Sequence, residues 1–169
     1  MKKLTALAVL ALAAFAPSPP ATAAEVAGAF SKGNTSLLVT AGSGYAFNES
    51  YLVLGVGVGY YLFDGLNVGL SVEWWSGSDP TLYKVTPSVT YVFHQVPLKP
   101  YIGAFYRRTY AENLPDLNSA GARAGVYFNA GRNAHIGVGG VYETYLDCNT
   151  TQYKSCSDTY PEVTFVVSF

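Results

Sequence analysis

The 169-residue chain is half hydrophobic, 15% aromatic and only 12% charged, with a formal net charge of −1. A balance this near neutral gives no basis for nucleic-acid binding, so nucleic acid is excluded as a partner. No stretch after residue 24 holds 18 consecutive apolar residues, so no transmembrane helix is expected and the apolar surface must be carried by other elements.

Residues 1–24 read as a secretory signal peptide. Lys2 and Lys3 form the charged region, Leu4 to Ala16 the apolar region, and Pro17 to Ala24 a small-residue region suited to cleavage after Ala23 or Ala24. The remaining domain, 25–169, holds 8 Lys+Arg against 11 Asp+Glu, a net charge of −3.

Eight segments of alternating apolar character follow. They are predicted as strands over Thr35–Phe47, Tyr51–Leu62, Leu66–Trp75, Tyr83–Phe93, Tyr101–Ala111, Ser119–Ala130, Ala134–Leu146 and Tyr160–Phe169. Each is close to or above the roughly 9–11 residues that a tilted strand needs to cross hydrocarbon. The connectors carry turn residues, among them Asn48-Glu49-Ser50, Asp64-Gly65 and Gly131-Arg132-Asn133. No helical period persists after residue 24.

The two faces differ along the chain. In the second segment Leu52, Leu54, Val56, Val58 and Tyr60 oppose Val53, Gly55, Gly57, Gly59 and Tyr61. A soluble sandwich would bury the aliphatic face and wet the other. Here the second face is glycine-rich with sparse charges, which suits a cramped barrel interior. Aromatics gather near the segment ends: Tyr45, Phe47, Tyr51, Trp74 and Tyr83 at one rim, and Tyr60, Phe63, Tyr91, Phe93, Phe128 and Phe169 at the other. Two such girdles are expected of a barrel anchored at both membrane interfaces. Cys148 and Cys156, an even pair in an exported chain, read as a disulfide. Two cysteines without a nearby histidine make a poor zinc set, so no metal is expected.

The final stretch, Tyr160-Pro-Glu-Val-Thr-Phe-Val-Val-Ser-Phe169, alternates strictly and ends on an aromatic residue. It resembles the terminal strand of bacterial outer-membrane barrels, in which a final Phe is read by the barrel-assembly machinery. Together with the signal, the strand count and stretches such as Gly59-Tyr60-Tyr61-Leu62-Phe63-Asp64-Gly65, the chain resembles the small eight-stranded family typified by the OmpA membrane domain and OmpX. The resemblance implies a closed, eight-stranded, antiparallel, up-and-down transmembrane β-barrel in the outer membrane of a Gram-negative bacterium. Both termini would be periplasmic and Phe169 the assembly signal. The connectors Asn48–Ser50, Ser76–Leu82, Glu112–Asn118 and Asp147–Thr159 would then be extracellular.

Strand parity turns Glu73, Lys84, Arg107, Arg123, Glu143 and Glu162 toward the lumen. Three cations and three anions are expected in one layer, with Glu73 beside Lys84, Arg123 beside Glu143, and Arg107 reaching Glu162. Buried charge persists only when paired and hydrogen-bonded, so a structural plug is expected. Arg108 has the opposite parity and is expected to contact lipopolysaccharide phosphate at the outer interface. His94 and His135 fall at the periplasmic rim, and no His-x-Ser pair exists, so no catalytic residue is assigned and the protein is expected not to be an enzyme. The functional expectation is a structural or surface-interaction protein of the outer membrane without a cofactor. Its partners would be lipid and lipopolysaccharide, with another outer-membrane protein or a host ligand at the short loops. A lipid A-modifying enzyme and a small gated pore stand as the alternatives.

Overall fold

Period-two alternation gives every segment one face of small or polar residues and one of large apolar residues, and the two faces come to rest on opposite sides of a single wall. The computed structural model describes residues 28–46, 49–78, 81–111, 116–146, 148 and 156–169. The expected signal peptide, together with Phe47 and Asn48, lies outside the described residues. The strands are β1 (Thr35–Ala46), β2 (Glu49–Phe63), β3 (Leu66–Ser76), β4 (Leu82–Val92), β5 (Pro100–Ala111), β6 (Leu117–Asn129), β7 (Ala134–Tyr145) and β8 (Ser157–Ser168). Each pairs antiparallel with the next, and β8 returns to β1, forming a closed up-and-down barrel. The seam runs from Ser36 opposite Ser168 to Ala41 opposite Val163. Thr35 and Phe169 finish it by exchanging two backbone hydrogen bonds of 2.8 and 2.9 Å.

β8 begins three residues earlier than its alternation suggests. Thr144 pairs with Ser157, and the Tyr145 N–H donates to the Cys156 carbonyl. The Cys148–Cys156 disulfide, with Cα atoms 5.5 Å apart, closes the connector just above that pair. Between β4 and β5 the paired positions skip from Val85 to Ser88. Pro87 lies in the gap and has no N–H to give to the ladder.

The outer surface is apolar. Leu52, Leu54, Val56 and Val58 of β2 are all exposed, Val56 and Val58 at 59% each. Trp74 and Tyr83 stack outside at 6.3 Å near the end of the barrel that carries the disulfide, hereafter the loop end. Tyr60, Phe63, Tyr91, Phe93, Phe128 and Phe169 are exposed toward the end that carries the start of β1 and the end of β8, hereafter the terminal end. Tyr51 corrects the expected girdle. It is only 2% exposed and packs inside, 6.0 Å from the Trp75 ring, because its parity matches Val53 rather than Leu52.

Glycine makes room for the large interior residues. A Cβ on Gly44 would overlap the Trp75 ring, and one on Gly121 would strike both the Phe105 ring and the Tyr142 carbonyl. The terminal end is filled differently. Ala29 and Phe30, ahead of β1, fold into the mouth of the barrel. Phe30 sits 4.5 Å from His135 and about 6 Å from Tyr61 and Tyr127, ring to ring. Its carbonyl accepts from Gly65 N–H, and the Lys32 N–H donates to Asp64, so backbone bonds hold this segment as a stopper.

Gly121→Val should destabilise the folded barrel by about 1–3 kcal/mol, because both the ring and the carbonyl must move. Gly140→Ala should be close to neutral, since a Cβ there meets nothing within 4 Å. Urea titrations of the two variants in detergent check the difference.

Candidate functional site

The polar residues of the lumen come from strands around the whole wall, because each strand turns alternate residues inward. All six charges assigned inward from parity are buried: Glu73, Lys84, Arg107, Arg123, Glu143 and Glu162. They do not form one layer. Two groups are present, and the Phe105 ring lies against both, 4.7 Å from the Arg107 guanidinium and 5.0 Å from that of Arg123.

The larger group is centred on Arg107. Its two terminal nitrogens reach Glu73 at 2.6 Å and Glu143 at 2.7 Å, and its Nε donates to Thr86 Oγ1 at 3.0 Å. Tyr160 accepts a further bond from Arg107 and donates to Glu143 Oε2 at 2.8 Å. The Ser119 hydroxyl donates to the other Glu143 oxygen. Glu143 is fully enclosed, and three donors from three other strands serve its carboxylate. A buried ion cluster is tolerated when its lone pairs and protons are satisfied in this way.

The smaller group is Arg123 with Glu162, 3.2 Å apart. Two of the Arg123 nitrogens, Nε and Nη2, have no hydrogen-bond partner among the described residues. A cavity of about 40 Å³, lined by Arg123, Asn67, Ser71, Ser88 and Thr90, adjoins them. That volume suits about three waters.

The pairing differs from strand-neighbour expectation at each point. Arg107 bonds Glu73 and Glu143, not Glu162. Arg123 bonds Glu162, not Glu143. Lys84 faces Glu73 in register but makes no ion pair with it among the described residues. Trp75 explains this. The Lys84 ammonium lies 3.3 Å from the centre of the Trp75 ring, whose indole N–H donates to Glu73 Oε2 at 3.0 Å. The ring therefore interacts with both, the cation through its π face and the anion through its N–H edge.

Parity alone left out Asp158, which accepts from the Tyr145 hydroxyl at 3.1 Å. Extending the alternation of β8 back through Tyr160 to Asp158 would have found it. Arg108 is outward and exposed, as its parity requires, and is held by Asp116 at 2.8 Å, with Tyr110 5.4 Å away. Phe169 carries an exposed ring at the seam. The disulfide joins the two cysteines assigned to it.

Arg107→Met should cost about 3–5 kcal/mol, because two enclosed carboxylates lose their cation. Arg123→Met should cost less, since only one carboxylate, Glu162, loses its cation. Adding Glu162→Met should recover part of that loss, and adding Glu143→Met should not. Arg108→Met should change stability by roughly 0–1 kcal/mol, as befits an exposed pair. Denaturant titration in detergent measures all of these. Rescue of Arg123→Met by Glu143→Met would contradict the pairing.

No protein-family model matches the chain, and no curated protein matches its sequence. Solved structures do match its shape. The N-terminal β-barrel domain of OprF from Pseudomonas aeruginosa superposes with a TM-score of 0.66 at 15% identity, over 82% of this chain and 98% of that one. Neisserial surface protein A superposes with a TM-score of 0.57 at 17% identity, over 80% and 96% respectively. What is shared at such identities is the fold, and the chain has the fold of the small eight-stranded outer-membrane barrels.

Proposed function

We propose that a chain with this fold is an integral outer-membrane protein whose termini face the periplasm and whose disulfide-closed connector lies at the cell surface. Its role is structural and interactive, without catalysis and without an open pore. The observation that carries this reading is the inversion of polarity across the wall. Aliphatic residues of β2 stand exposed outside while Lys84 and Glu143 are fully enclosed inside. Water would not tolerate that much contiguous apolar surface, and hydrocarbon would. Closure also leaves no unpaired strand edge for lipid to meet.

Three features argue against the alternatives. The Ser119 hydroxyl and the Glu143 carboxylate are bonded to each other, and neither is exposed, so no lipid substrate reaches them. His94 and His135 lie at the terminal end, away from the leaflet where lipid A chemistry would take place. The Arg107 group and the Phe30 stopper occupy the lumen at two levels, which supports a filled interior rather than a pore. At the outer interface Arg108 and Asp116 present a charged pair beside Tyr110, a fitting contact for lipopolysaccharide phosphate and its bridging cations. The connector closed by Cys148 and Cys156 is the surface on which another membrane protein or a host ligand would dock. Neisserial surface protein A, which shares the fold, is by name a surface protein, and this supports that location.

An epitope inserted between residues 149 and 155 should be labelled by antibody on intact cells. The same epitope inserted after Val96, in the β4–β5 connector, should be labelled only after the outer membrane is opened. The reverse pattern would turn the barrel over, and recovery of the protein in the soluble fraction would end the reading.

A further inference from the structure

Three separate stretches of chain meet in a cleft at the terminal end. The segment before β1 contributes Phe30, the β4–β5 connector contributes His94 and Lys99, the β6–β7 turn contributes Arg132, and β6 and β7 contribute Asn129 and His135. The cleft is about 220 Å³, smaller than the roughly 300–1,000 Å³ of pockets for drug-sized ligands. Every ionisable side chain lining it is basic or an imidazole, and none is acidic. Arg132 makes no ion pair among the described residues, and the Lys99 ammonium is held by a neutral group, the Asn129 amide oxygen, at 2.8 Å.

Two further observations show that this is more than a basic rim. His135 is only 2% exposed, and its Nδ1 has no hydrogen-bond partner among the described residues. A buried ring nitrogen left in that state is costly unless something completes it. The His94 Nδ1, in the same lining, is also buried without a partner among the described residues. Lys99 is the non-glycine residue with a left-handed backbone among those described, at φ 40°. Its carbonyl is anchored by Tyr127 N–H and its own N–H by the Val96 carbonyl, which fixes the root of its side chain at the cleft.

We infer that this cleft binds a phosphate-class anion, with Lys99 and Arg132 supplying charge and the imidazoles of His94 and His135 supplying hydrogen bonds. Donors arriving from several chain segments suit the oxygens of a tetrahedral phosphate better than a flat carboxylate, and a guanidinium can grip two of them together. The size fits free phosphate or the headgroup phosphate of a lipid in the adjacent leaflet.

The chain contains two histidines, so their imidazole ¹⁵N resonances can be assigned by single substitution. The protein is held in a maltoside detergent, which carries no phosphate, and inorganic phosphate is titrated against chloride at constant ionic strength. The His135 resonances should shift saturably. Lys99→Gln and Arg132→Gln should each weaken the binding about tenfold, the loss of one charge-assisted hydrogen bond, while Arg108→Gln should leave it unchanged. Heat-modifiable migration confirms that each variant is folded. In a second arm the protein is placed in vesicles of a phosphate-free glycolipid, with or without phosphatidylglycerol. A His135 shift that appears with phosphatidylglycerol assigns the site to a lipid headgroup, and saturation by free phosphate alone assigns it to a soluble anion. A shift that never saturates, or one unchanged in the Lys99→Gln/Arg132→Gln double variant, would overturn the inference.

Discussion

The constraint on which the rest of the molecule depends is the closing of β8 onto β1. A wall that meets hydrocarbon must leave no backbone N–H or C=O without a partner. Eight strands that satisfy this condition enclose a lumen only as wide as packed side chains. The seam between Ser36–Ala41 and Val163–Ser168, finished by Thr35 and Phe169, therefore sets the space available inside. Each interior feature follows from that limited width. Trp75 lies where Gly44 yields, and Phe105 lies where Gly121 yields. Arg107 can reach Glu73 on β3 and Glu143 on β7 together only because the strands are drawn so close.

Charge in this interior obeys the same geometry. Three cations face Glu73, Glu143 and Glu162, with Asp158 a further carboxylate beside Tyr145, and charge pairing alone would not keep them folded. Hydrogen bonds to the enclosed ions do, and the Arg107 group shows how: Thr86, Ser119, Tyr160 and the Trp75 indole serve the atoms that the ion pairs leave open. Lys84 departs from the pattern, with an aromatic face in place of a carboxylate. The network thus fixes the mutual positions of β3, β4, β5, β6, β7 and β8 at one level, while Phe30 fills the opposite mouth through apolar contact and backbone bonds.

Alternation made the wall legible. Period two, read residue by residue, identified eight strands and turned all six lumenal charges to the correct side, since a strand has only two faces to choose from. Pairing inside the lumen was not legible in the same way. Register gives the nearest neighbour on the next strand, as with Glu73 and Lys84, but side chains in a narrow barrel also reach across it. An intervening ring such as Trp75 cannot be seen in a one-dimensional pattern. Tyr51 lies near a strand end, where aromatics suggest a girdle, yet its own parity points inward. The stopper escaped notice for a plainer reason. Gly28 to Asn34 carry no alternation, and Phe30 stands as a lone aromatic ahead of the first strand. The cleft at the terminal end gathers residues from connectors that have no periodicity at all.

The lumen is proposed to be filled by the Arg107 group at one level and the Phe30 stopper at the other. Single-channel recording of the refolded protein in planar lipid bilayers tests this most directly. The account predicts no steady open level across the voltage range, with at most brief transitions when the ion cluster rearranges. A persistent, ohmic open level in most insertions would contradict it and would make a continuous water-filled path the correct description of the interior.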